Sequence, residues 1–311
     1  MNTFVALPDL LGSAQGGCAL PHLGILHAQG ADAANFLHNQ LSNDFLLLPP
    51  DQARLAAFCN AKGRMQASLI GFKTSPDDVW LILRHDLLAH TLKRLRMFVL
   101  RAKVVMNDVS EQYEVRGLLG DALPAALGAA PWSLQVQSQA WTVRLYPAQG
   151  HGRALHVVPV GAAVTTAALD LHDWLLSEVL SGVADVQAAT FEAFVPQMLN
   201  FESVDGVNFK KGCYPGQEVV ARSQFRGTLK RRAYLASASA ALQAGQEIFS
   251  ASDPSQPSGV VAQACDHPVQ GHWALVCLQT STLEEAAGGL TTVQGAGLTL
   301  HPLPYTLRDD I

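Results

Sequence analysis

The chain has 311 residues, 49% of them hydrophobic and 15% charged, against a usual charged share of about 25%. That composition excludes a disordered chain, and no run of about 18 apolar residues offers a membrane span. Net charge is −5 and the first twenty residues hold one acid and no Lys or Arg, so neither signal nor transit peptide is indicated and the reading is a cytoplasmic protein of about two average domains.

In chain order, Gly30 precedes a short helix that opens near Asp32 and puts Ala33, Phe36, Leu37 and Leu41 on one face. Met65 to Phe72 and Val79 to Leu83 read as strands, split by the turn formers Thr74-Ser75-Pro76-Asp77. Asp86 is placed to cap a helix with apolar positions Leu88, Leu92, Leu95 and Val99, and Val104 to Met106 follows as a strand. A strand–strand–helix–strand order predicts an antiparallel or mixed α+β layer, not a doubly wound parallel sheet. From about residue 122 to 152 the chain is rich in Ala, Gly, Pro and Gln, and only Trp141 to Leu145 reads as a strand. Ala154 to Val160 is another strand, and Leu171, Trp174, Leu175 and Val179 mark an amphipathic helix closed by Gly182.

Beyond Arg232 the pattern changes. Short strand candidates appear at Ala233–Leu235, Glu247–Phe249, Gly259–Ala264, Trp273–Leu278 and Gly297–Leu300, with no convincing helix among them. They predict a small β-barrel or sandwich over 230–311, after a larger region over 1–229.

Charge is uneven. Residues 210–232 carry seven Lys and Arg against the single acid Glu218, and 87–107 carry five basic residues and no acid. Such runs are either solvated faces or the wall of a site for an anionic ligand. The five cysteines, Cys18, Cys59, Cys213, Cys265 and Cys277, are widely and irregularly spaced. They form no zinc pattern, so no tightly bound metal is expected.

The densest cluster of signals is 201–232. Asp205 and Gly206 suit a turn, Val207–Phe209 a short strand, and Pro215 the first position of a helix that continues through Arg222. Cys213 then precedes a helix N-terminus and lies close to Lys210 and Lys211. Both features favour a thiolate, although a free cysteine is most often buried and inert. Asn60-Ala61-Lys62-Gly63-Arg64 reads first as a turn.

The string Lys211-Gly212-Cys213-Tyr214-Pro215-Gly216-Gln217-Glu218, followed by Ala221-Arg222, resembles the K-G-C-Y-x-G-Q-E hallmark of the YgfZ family. These are folate-binding proteins related to the aminomethyltransferase (T-protein) of the glycine cleavage system. Supporting pieces stand in the family's order: Gly30-Ala31-Asp32 through Phe36-Leu37 to Asn43-Asp44, then Asn60 to Arg64, Arg101-Ala102-Lys103, Pro196 to Asn200, and Arg226-Gly227 with Lys230-Arg231.

The resemblance implies an α+β fold of aminomethyltransferase-like folate-binding modules around a central cavity, closed by a C-terminal β-barrel. It implies a tetrahydrofolate cofactor and a role in assembling or repairing iron–sulfur clusters in a subset of enzymes, including tRNA-modifying ones. Cys213 would be the reactive thiol, meeting iron, sulfur or a partner thiol transiently. Asn43, Asp44, Asn60, Lys62, Arg64, Arg101, Gln197, Asn200, Lys211, Tyr214, Gln217, Glu218 and Arg222 would hold the folate or shape the loop. The implied partners are folate and iron–sulfur client or assembly proteins. Direct contact with nucleic acid or membrane is not expected, and the chain reads as a monomer and not as a classical enzyme.

Two departures bear on the chemistry. In the aminomethyltransferases a paired Asp-Asp follows the turn matched by Asn60–Arg64, whereas this chain has Ala67 and Ser68, neither able to act as an ionised base. Near the place of the relatives' pterin-reading Glu stand Gln197 and Met198. The other reading, a tetrahydrofolate-dependent one-carbon transferase, is therefore disfavoured on sequence.

Overall fold

The computed structural model describes residues 4–163, 165–225, 229–285 and 289–308. Arg226 and Gly227 of the motif series lie outside the described residues. The chain opens with strands β1 (Gly16–Ala19) and β2 (Leu23–Gln29), helix α1 (Ala33–His38), and strands β3 (Ala53–Cys59), β4 (Met65–Ser75) and β5 (Asp78–Arg84). Helix α2 (His85–Met97) leads to β6 (Val105–Asp108), β7 (Tyr113–Leu119), β8 (Leu134–Gln137), β9 (Ala140–Arg144), β10 (Arg153–Pro159) and helix α3 (Leu171–Leu180). Short 3-10 turns at Ala188–Thr190, Pro196–Leu199 and Phe201–Val204 precede helix α4 (Gln217–Phe225). The last part comprises β11 (Arg231–Ala238), β12 (Glu247–Ser250), β13 (Asp253–His267), β14 (Gly271–Gln279), the short helix α5 (Thr280–Glu285), β15 (Leu290–Thr292) and β16 (Gly297–His301).

The strands form two five-stranded sheets, ordered β3-β4-β5-β2-β6 and β1-β7-β10-β9-β8, and a closed barrel ordered β11-β14-β13-β12-β15-β16. The two sheets meet at aromatic side chains. Trp80 of β5 lies 4.5 Å from Trp141 of β9 and 4.9 Å edge-on from Tyr113 of β7, ring centroid to ring centroid. Such offset and T-shaped contacts add to the burial of large apolar area. Helix α3 covers the second sheet with a fully buried Trp174.

Polar contacts tie the barrel and the segment after it to α3 and to the turns before α4. Arg232 pairs with Glu202 at 2.6 Å, His267 with Asp173 at 3.1 Å, and the Tyr305 hydroxyl donates to Gly182 O at 2.8 Å. The segment at Val5 meets strand β16, since Val5 N donates to Leu300 O at 3.0 Å.

Local expectations needed correction in four places. Helix α2 begins at His85, so Asp86 sits in its first turn, and its carboxylate accepts from Ala188 N at 3.0 Å. Val207–Phe209 is not a strand; its one ladder-like tie is Asn208 N to Ser42 O at 3.0 Å. Helix α4 starts at Gln217 and leaves Pro215-Gly216 in the preceding turn. The barrel also carries one short helix, α5.

Candidate functional site

The Cys213 loop is fixed from both sides. Upstream, the Asn208 side chain accepts from Lys210 N at 2.8 Å and from Lys211 N at 3.1 Å, an Asx turn that sets the direction of the loop. Lys211 is 8% exposed. Its ammonium donates to His38 O at 2.5 Å and Leu41 O at 3.0 Å, and lies 4.7 Å from the Tyr214 ring centroid. Burial lowers this ammonium's pKa to about 8, against the opposing charge of Asp44. Tyr214 is buried, which pushes its phenol upward.

Downstream, Gly216 stands at φ +82°, and a Cβ there would meet Asn60 O at 2.4 Å and Gly63 at 2.7 Å. Only glycine allows that backbone and that approach. The turn Asn60–Arg64 is thereby pressed against the hallmark loop. Asn60 Oδ1 holds the turn by accepting from Lys62 N at 2.9 Å and Arg64 N at 3.1 Å, and the Arg64 guanidinium donates to Ala193 O at 2.7 Å. Two segments about 150 residues apart by the numbering thus become one surface.

Cys213 is exposed, whereas Cys18, Cys59, Cys265 and Cys277 are buried. Beside the loop, the His38 ring meets Asp44 (Nδ1 to Oδ1, 3.0 Å). Partial burial opposes ionisation of Asp44, but the Leu47 N–H and His38 outweigh it and hold the carboxyl below its usual value.

The remaining expected site residues divide by what they touch. Asn43 Nδ2 donates to Leu55 O at 2.8 Å and Asp205 O at 2.6 Å, and Asn200 Nδ2 to Ala233 O at 2.9 Å. Gln197 is fully buried and donates to Val220 O at 2.7 Å, outside the cavity described below. Gln217 opens α4, on whose exposed face Glu218 and Arg222 pair at 2.6 Å. Lys62 and Arg101 are exposed, and Arg101 lies in the segment after α2 with no recorded contact to the hallmark loop.

A second polar centre was missed at the sequence level. Between the sheets and α3 lies a cavity of about 50 Å³ lined by apolar residues and by Ser68, Trp132, Tyr146, Arg153, Glu178 and Asp185. Burial pushes Glu178 up, but His22 at 3.0 Å, Arg153 and the Trp174 N–H at 2.7 Å reverse this and keep it ionised. Asp185 goes the other way, raised to about 6 by burial and then by the Glu178 charge. Ser68 Oγ donates to Asp185 Oδ1 at 3.3 Å and accepts from Val186 N at 2.9 Å. Ser68, which stands where the resemblance implies a carboxyl, thus lies beside one supplied by another segment. A solvent-facing cleft of about 510 Å³ shares Trp132 as a wall and is lined by Arg54, Asn208, Lys210 and Arg308 among others.

Among the described residues no three His, Cys, Asp or Glu side chains are grouped to hold a metal, and no helix is long and apolar enough to cross a membrane.

Against known proteins, the chain is 28% identical over 307 residues to the tRNA-modifying protein YgfZ of Photorhabdus laumondii subsp. laumondii, covering 94% of this chain and 93% of the relative. It is 27% identical over 314 residues to the tRNA-modifying protein YgfZ of Sodalis glossinidius, with the same coverage of 94% and 93%. No family model matches. Among solved structures, glycine cleavage system aminomethyltransferase T from Bartonella henselae superposes with a TM-score of 0.63 at 16% identity, over 94% of this chain and 87% of that one. That likeness establishes the fold.

Proposed function

Because the chain belongs to the YgfZ family, we propose that it binds a reduced folate and supports assembly or repair of iron–sulfur clusters in a subset of enzymes, tRNA-modifying ones among them, through the Cys213 thiol. The observation that carries this reading is the contrast among the cysteines. Four are buried, and burial raises their thiols to about 11 or 12; Cys213 alone is exposed, on a loop held by Lys211, Asn208 and Gly216. A thiol so placed is built to meet another molecule.

The test is a cell whose only copy carries Cys213→Ala, with protein level measured. Cluster-dependent enzyme activity is expected to fall to the level of a deletion while the protein persists. Unchanged activity overturns the reading.

The cavity lining suits the polar edge of a pterin: Asp185 accepts from ring N–H groups, and Arg153 and Ser68 stand nearby. The present space of about 50 Å³ holds only a few waters at roughly 10–15 Å³ each, so a pterin enters only if the walls move apart. The cationic residues of the adjoining cleft suit the carboxylates of a folate tail. A reduced folate bound there would supply one-carbon or redox chemistry. The residues of this chain orient its edge and exclude water. Ser68→Leu fills the cavity and is expected to abolish tetrahydrofolate binding measured by calorimetry.

One observation favours a second reading, a tetrahydrofolate-dependent one-carbon transferase. Asp185, raised to about 6 beside Ser68, is a proton acceptor suited to near-neutral pH. Tetrahydrofolate-dependent turnover of a methylated amine, lost in Asp185→Asn, would establish it.

A further inference from the structure

His38 is 8% exposed, yet only one of its ring nitrogens is engaged. Nδ1 meets Asp44 Oδ1 at 3.0 Å, and among the described residues Nε2 has no hydrogen-bond partner. The open nitrogen faces Gly212: a Cβ built there would lie 3.5 Å from His38 Nε2, its one close neighbour apart from the adjoining residues 211 and 213. Gly212 has no left-handed backbone to explain a glycine. Its missing side chain instead leaves a gap with the imidazole on one side and the next residue, the exposed Cys213, at its rim. Lys211 cannot fill the same role, because its ammonium is directed at the carbonyls of His38 and Leu41.

Resting on the reading of Cys213 as a reactive thiol, we infer that His38, oriented by Asp44, is the acid that protonates the thiolate leaving when Cys213 attacks a sulfur–sulfur bond presented over Gly212. The substrate class is a disulfide or persulfide of a partner thiol. The Cys213 thiolate forms a bond to the near sulfur, the S–S bond breaks, and its electron pair departs on the second sulfur. That sulfur takes the Nε2 proton of the imidazolium and leaves as a thiol. Cys213 sulfur is oxidised and the departing sulfur reduced, so no further oxidant is needed. Asp44 fixes the ring through Nδ1, and histidine is the side chain best suited to hand over a proton near neutral pH. The other charged groups around the pair are Lys211 at the His38 carbonyl, Cys213 on the loop, and Arg54 and Lys73, whose charges act on Asp44.

The experiment measures the rate at which Cys213 of the full chain reacts with two disulfides, with Cys213→Ser subtracted as background. One is the aromatic bis(thionitrobenzoate), whose leaving thiolate needs no proton; the other is hydroxyethyl disulfide, whose leaving thiolate does. His38→Asn is expected to slow the alkyl reaction about tenfold or more and leave the aromatic one within about twofold. Asp44→Asn, which leaves the gap over Gly212 open and removes the carboxylate that orients the ring, should give the same split in weaker form if His38→Asn folds poorly. Equal loss with both reagents, or no loss with either, overturns the role of His38 and leaves the Cys213 reading standing. Failure of Cys213 to react with either reagent overturns both. With cysteine persulfide, gain of one sulfur on Cys213 that is slowed by His38→Asn upholds the inference for a persulfide donor, and a mixed disulfide with the alkyl reagent slowed in the same way upholds it for a disulfide.

Discussion

Lys211 joins the hallmark loop to the end of α1 by donating from Nζ to the carbonyl oxygen of His38 at 2.5 Å, with Leu41 O at 3.0 Å as second acceptor. The last carbonyls of a helix lack internal partners, and a cation satisfies them well. Lys211→Met keeps the stem and removes the donors. It is expected to cost about 1–3 kcal/mol in urea unfolding and to open the loop around Cys213 to limited proteolysis. The pH dependence has a definite sign. Burial first, against Asp44 and Cys213, lowers this ammonium from 10.5 to about 8, so between those values the unfolded chain binds the proton more readily. Stability therefore rises with pH across that window, and Lys211→Met removes the rise.

Thiol chemistry should be confined to one position. Burial, with help from nearby acids at Cys18 and Cys265, lifts the four internal thiols to about 11 or 12, and only Cys213 is exposed. Iodoacetamide at pH 8 is expected to alkylate Cys213 alone in the folded protein and all five cysteines in denaturant. Peptide mass spectrometry of the two samples decides the matter, and early labelling of Cys59 or Cys277 in the folded sample would contradict the burial.

How much of this was legible in the sequence depended on how local the cause was. Strands β4, β5, β9, β10, β11 and β14 are built around short apolar runs set off by polar or turn-forming neighbours, and they read correctly. Strand β3, Ala-Arg-Leu-Ala-Ala-Phe-Cys, favours a helix by composition and becomes a strand only through pairing with β4, as in Leu55↔Ile70. Strand β7 is interrupted by Gly117 and is held by neighbours on both sides, β1 and β10. The hallmark loop was legible because its residues are contiguous. The partnership of Ser68 with Asp185 was not, because a lone Ser or Asp carries no signal until distant segments bring it beside its partner, and that of His38 with Asp44, six residues on, depends on how the chain turns after α1. Asn43, Gln197 and Asn200 stood out as polar residues in motifs, and the structure shows their amides donating to backbone carbonyls.

The joint between the barrel and the turns before α4 holds a buried charge pair. Arg232 donates to Glu202 Oε1 at 2.6 Å, with side chains 7% and 0% exposed. Arg232→Met leaves the Glu202 carboxylate with the Ser203 hydroxyl, at 3.0 Å, as its recorded side-chain donor. Breaking a buried pair from one side typically costs about 3–5 kcal/mol. A drop of that size in thermal and urea unfolding is expected, whereas a change below about 1 kcal/mol would show that the joint does not depend on the pair.

Asp185 should make the fold less stable as pH rises from acid to neutral, against the usual trend for a carboxylate. Burial first, and then the Glu178 charge, raises its pKa from 3.8 to about 6. The folded chain then holds a proton that the unfolded chain has released, so this group's stabilisation is complete below pH 3.8 and lost as pH climbs through about 6. Asp185→Asn keeps the shape and the partner of Ser68 while removing the ionisation. It is expected to raise stability at pH 7.5 by about 1–3 kcal/mol and to change little at pH 4, where the native side chain is already neutral. Urea unfolding of both proteins at the two pH values measures this. A variant equally stabilised at both would trace the effect to packing, and one destabilised at pH 7.5 would mean that the ionised carboxylate is held by partners that outweigh Glu178. The same titration would make Asp185 a proton acceptor above about pH 6, so the pH at which stability turns should match the pH at which any transferase turnover appears.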